Sequence, residues 1–169
     1  MTSRLMLWII MCGFLLLSST FPTDSHAAES GEFKGSWIAN GIRTPFSFVD
    51  GRQVFTFKLG GHVNLQAVLG KKKDFWAECI GLADSTTGII GRCVWKDLSG
   101  PEIYLTLQSD KLQQGDQVTG TIVGGTGPFK EISGELSFNW EMVITQTDAE
   151  GIVNVTGQTK NLGGSYRTP

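Results

Sequence analysis

The sequence predicts an all-β fold: one antiparallel sheet of about eight strands closed into a barrel, with a two-sheet sandwich as the competing arrangement. Three observations carry this. Segments of β type are separated by short turn signals along most of the chain. Apolar and polar residues alternate with a period of two in the longest segments. No window of about eleven residues or more shows a helical period.

The expected strands, in order, are Phe33–Ala39, Val54–Leu65, Phe75–Ala83, Gly91–Asp97, Ile103–Ser109, Val118–Val123, Glu135–Thr147 and Gly151–Leu162. A short, mobile lead, residues 29–32, precedes the first. In the second, Phe55, Phe57, Leu59, Val63 and Leu65 share one parity, against Thr56, Lys58, His62 and Asn64. In the seventh, Leu136, Phe138, Trp140, Met142 and Ile144 alternate with Ser137, Asn139, Glu141, Val143 and Thr145. Such strands bury one face and leave the other in water. Turn chemistry stands between them at Val49–Arg52, Leu98–Pro101, Gln114–Asp116 and Asp148–Gly151. Closure is favoured because it removes sheet edges. A barrel of this size has room for a filled core or one small ligand. The residues after Leu162 form a short final strand if their two glycines permit it.

Residues 1–28 read as a cleaved signal peptide, and residues 29–169 as a single barrel domain. Arg4 supplies the positive start, Leu5–Leu17 the apolar run, and Ala27-Ala28 the small residues that signal peptidase takes. That run has 13 residues, fewer than the roughly 20 that span a bilayer. The expected location is periplasmic or extracellular, with no membrane attachment of the mature form. Processing leaves 13 basic and 15 acidic residues, a balance that argues against nucleic acid, which asks for a basic surface. The basic run Lys71-Lys72-Lys73 reads as a solvated loop tip.

Two cysteines remain in the mature chain, Cys79 and Cys93. An even pair in an oxidising compartment favours a disulfide. If Asp84–Gly88 is a hairpin loop, pairing symmetric about Thr86 sets Cys79 opposite Cys93, within bridging distance. In that register Trp95 and Asp97 share the face of Cys79, while Trp76 and Glu78 lie on the other.

The densest local signal is the glycine-rich run from Gly124 to Gly134. It does not match a phosphate loop, because the Gly-Lys-(Ser/Thr) ending and the following helix are missing. Gly124-Gly125-Thr126-Gly127, then Phe129, then Gly134 opening a strand, resembles a motif of the allene-oxide-cyclase-like barrels. That group includes the plant dirigent proteins and small bacterial secreted proteins. The resemblance implies that Phe129 and Ile132 plug one barrel end while the glycines turn the backbone over them. It also implies an interior that holds a small hydrophobic ligand or substrate, and association into a homo-oligomer through outer sheet faces. The matched residues are architectural, and shared fold does not fix function.

Candidate pocket residues are Trp76, Glu78, Trp95, Asp97, Trp140 and Glu141, because a carboxylate among aromatics can be held protonated and act as an acid. His62, the single mature histidine, reads as an exposed strand residue. One histidine and two bridged cysteines fall short of a structural zinc set, so no metal or cofactor is expected. The expected function is non-catalytic: an exported barrel that binds a small apolar ligand or serves as a structural or partner-binding module. A cofactor-free cyclase or isomerase is the alternative.

Overall fold

The computed structural model describes residues 28–49, 51–110, 115 and 117–169. The expected signal peptide lies outside these residues, apart from Ala28. Eight strands form a closed antiparallel barrel in sequence order, with β8 returning to pair with β1. They are β1 (Ser30–Phe46), β2 (Val54–Val68), β3 (Lys71–Asp84), β4 (Gly88–Asp97), β5 (Glu102–Ser109), β6 (Gln117–Gly125), β7 (Ser133–Thr147) and β8 (Val153–Arg167). The predicted barrel is therefore the fold, and every hydrogen-bonding edge is paired.

The period of two selects the faces. Phe55, Val63 and Leu65 of β2 are buried, while Thr56, Lys58 and His62 are exposed. The rule fails late in β7. A register shift between Met142 and Ile144 breaks the alternation, so Ile144 emerges into solvent. An extra residue in one strand of a ladder does this by rotating everything beyond it.

Three boundaries differ from expectation. Residues Ser30–Glu32 are not a free lead: they pair with Ser165–Arg167 of β8. Glu29 extends the tie, since Thr168 N donates to its carbonyl at 2.7 Å. The glycine pair after Leu162 does not stop β8, because Gly163 and Gly164 sit against Ser137 and Leu136 of β7. Lys73 is not part of a solvated loop tip; it lies within β3 and pairs with Asp97 at 2.9 Å.

The two barrel ends are filled differently. At the closed end the 3-10 turn Gly127–Phe129 folds inward, and Phe129, Ile132 and Phe75 are fully buried. Gly127 has φ of +58°, a region where glycine carries no steric penalty. Gly125 allows Phe129 to pass close above the backbone, where any Cβ would collide with it. The plug implied by the Gly124–Gly134 run is thus present. Towards the opposite end the aromatic rings cross over glycines, Phe57 over Gly81 and Gly91, and Trp140 over Gly157. Phe57, Leu59, Ile89 and Trp140 point into the core and remain only half-buried.

Candidate functional site

The six expected pocket residues separate into different environments. Trp76 and Glu78 lie on the outer face of β3, opposite in parity to buried Phe75, Ala77 and Cys79. They cannot line the interior, because adjacent residues of a strand face opposite sides. Trp76 instead meets His62 edge-on, with ring centroids 5.0 Å apart, and His62 is exposed. Glu141 also faces outward: Lys160 Nζ donates to it at 2.8 Å and Gln158 at 3.1 Å. The hydrogen bond from Lys160, then that from Gln158, hold its carboxyl below the usual range.

Trp95 and Asp97 do face inward. Trp95 packs 6.2 Å from Phe75, and its indole N–H finds no protein acceptor. Asp97 lies at the plugged end, held by Lys73 Nζ at 2.9 Å, Ser99 N at 2.8 Å and Ser99 Oγ at 2.5 Å. Burial works to raise its pKa, but the bonds from Ser99 and the Lys73 ion pair outweigh it, and the group is held charged. A carboxylate so engaged is a structural anion. Trp140 alone joins the open half of the interior, stacked at a tilt 5.2 Å from Trp37.

A residue that sequence reading passed over governs the open end. Arg43 continues the inward parity of Trp37, Ala39 and Gly41 on β1. Its guanidinium carbon sits 3.7 Å from the centroid of the Phe55 ring. Nη1 donates to Met142 Sδ at 3.1 Å, a weak acceptor. Nε is buried and donates to no protein group. Burial without a counter-charge pulls the pKa of Arg43 below the ordinary guanidinium value. Its flanking strands explain why: β2 and β8 contain no aspartate or glutamate.

Beside Arg43 opens a cleft of about 230 Å³. Phe46, Val54, Phe55 and Val153 give it apolar walls, with Pro45 at the lip and Gln53 supplying an amide. On the same rim Arg52 is already committed, its Nη2 lying 2.5 Å from Asp84 Oδ2. The first expected strand ends at Ala39, whereas β1 runs on through Gly41 and Pro45 to Phe46. The parity count carried through them would have found Arg43.

Among the described residues, no group of three or more His, Cys, Asp or Glu could hold a metal ion. No helix there is long and apolar enough to cross a membrane. The chain matches no family model, no curated protein and no solved structure.

Proposed function

We propose that the protein is an exported, non-catalytic barrel that binds a small apolar ligand at its open end. One observation carries the reading: at that end Phe57, Leu59, Ile89 and Trp140 are only half-buried and a cleft opens along Arg43, Phe55 and Val153, whereas Phe75, Phe129 and Ile132 at the plugged end are sealed. Binding sites of this kind pair apolar walls with a few placed polar groups. At about 230 Å³ the cleft falls below the ~300–1,000 Å³ usual for drug-sized ligands, so the ligand is small. The lining offers a cation and an amide but no carboxylate, which favours binding over acid–base chemistry. Relationship to the allene-oxide-cyclase-like barrels rests on the Gly124–Gly134 motif and the plug that it forms. Export rests on the N-terminal sequence and is in keeping with the Cys79–Cys93 disulfide.

The test is native mass spectrometry of protein purified without denaturant, paired with a titration of a small apolar probe such as 1-naphthol followed by tryptophan fluorescence. A retained mass or a saturable change supports the reading. A bare chain with no saturable response overturns it.

A second reading, self-association, is favoured by the outer face of β1–β4. Ile38, Trp76, Ile80, Leu82 and Ile90 are all exposed there. Ile42, Lys58, Ile80 and Arg92 form one cross-strand row, beside Asn40, Gly60, Glu78 and Val94 in the next row but one. Lys58, Glu78 and Arg92 enter no ion pair among the described residues. A second copy turned about a two-fold axis brings Glu78 onto the basic pair and covers the isoleucines.

A further inference from the structure

We propose that Arg43 is the anchor for an anionic head group, so that the open-end cleft takes a small organic monoanion, a carboxylate carried on a compact apolar body. The inference rests on the ligand-binding reading above and adds the chemistry of the ligand.

The first argument is the state of Arg43 itself. A guanidinium presents five donors in a planar fork and stays charged. Here Phe55 covers one face at 3.7 Å, Met142 Sδ takes one donor, and Nε has no protein acceptor. A cation half-withdrawn from water, with its Nε fully buried, carries a desolvation cost unless paired. The other rim arginine shows the ordinary solution: Arg52 grips Asp84 through Nε at 3.0 Å and Nη2 at 2.5 Å. Arg43 has no such partner, and the strands on either side of it contain none.

The second argument is place. Arg43 borders the cleft and is the single charged residue in its lining. Ring stacking fixes the plane of the fork, which suits two-pronged recognition of a planar carboxylate. One positive charge matches one negative charge. A phosphate dianion would leave charge uncompensated, and no second cation lines the cleft. The walls of Phe46, Val54, Phe55 and Val153 then cover an apolar body.

The test compares 1-naphthoate, neutral 1-naphthamide and inorganic phosphate on wild-type protein and on Arg43→Met and Arg43→Lys. Binding is read from amide and arginine Nε–H signals in proton–nitrogen NMR spectra. Charge-assisted hydrogen bonds predict that naphthoate binds wild type about tenfold or more tighter than naphthamide. Naphthoate shifts the Arg43 Nε–H signal, and phosphate alone does not bind measurably. Arg43→Met abolishes the preference for naphthoate while naphthamide binding persists, and its melting temperature does not fall, since removing a half-buried charge that has no counter-charge relieves a desolvation cost. Arg43→Lys retains part of the preference.

Equal binding of naphthoate and naphthamide to wild type would overturn the anion anchor and leave ligand binding standing. Phosphate binding as tight as naphthoate would overturn the organic monoanion. No saturable binding of either naphthalene would remove the ligand reading and this inference together. The wild-type comparison decides the matter even if Arg43→Met fails to fold.

Discussion

Cys79 and Cys93 stand directly opposite each other on β3 and β4, their Cα atoms 4.1 Å apart, and their bond lies inside the barrel with both residues buried. The pairing follows from a hairpin centred on Thr86, with Asp84 opposite Gly88. Closing a loop of about 15 residues stabilises by about 3 kcal/mol in the chain-entropy description. The Cys79→Ala, Cys93→Ala double variant is expected to lose about that much in urea unfolding. Because the bond is buried, native protein should resist dithiothreitol and be reduced only as it unfolds. Rapid reduction at neutral pH without denaturant, followed by mass spectrometry, would contradict the buried placement.

The plug gives a second prediction. Phe129 is wholly buried, with Phe75 at 5.7 Å and the Lys73 ammonium 5.6 Å above its ring. Phe129→Ala removes a large buried ring, a change that costs about 3–5 kcal/mol. At ~2–4 °C per kcal/mol, the scaling for domains somewhat larger than this one, the melting temperature falls by roughly 10 °C. An unchanged melting temperature would show that the run from Gly124 to Gly134 is not structural.

Acid stability gives a third. The hydrogen bond from Arg52, followed by that from Thr86 N, lowers the pKa of Asp84 to about 2. The unfolded carboxyl titrates near ~3.9. A folded pKa below the unfolded one means that the unfolded chain binds the proton first. The contribution is therefore complete above about pH 4 and lost as pH falls from there towards 2. Denaturant midpoints of wild type and Asp84→Asn should differ most at pH 6 and converge near pH 2. A gap that stays constant from pH 6 to pH 2 would show that Asp84 titrates normally.

Self-association is tested on the outer face. Sedimentation or light scattering of the purified protein is expected to give twice the chain mass, and Ile80→Lys the monomer mass. Ile80 is 58% exposed, so the substitution should leave stability within about 0.5 kcal/mol. A monomeric wild type at high micromolar concentration would end this reading.

The barrel was legible in the sequence because its signals are local. Alternation along Val54–Leu65, turn residues between strands and the symmetry about Thr86 need only neighbouring residues to be read. Pocket residues were harder. Trp76 and Glu78 stand out as aromatic and acid together, yet they share the parity that faces outward on β3, with buried Ala77 between them. Arg43 lies beyond the expected end of the first strand at Ala39, although Gly41 and Pro45 on either side of it both pair within the β1–β2 ladder.

The sequence by itself determined the all-β class, the strand order's turn points, the opposition of Cys79 and Cys93 and the glycine-rich turn at one end. Only the tertiary structure decided which parity is inside, and that Arg43 is held at the end opposite the plug without a carboxylate. The reason is physical: alternation along a strand reports two faces but does not name them. Closure names them, because it puts one face of every strand against the others and sets Arg43 between β2 and β8, two strands that carry no acid.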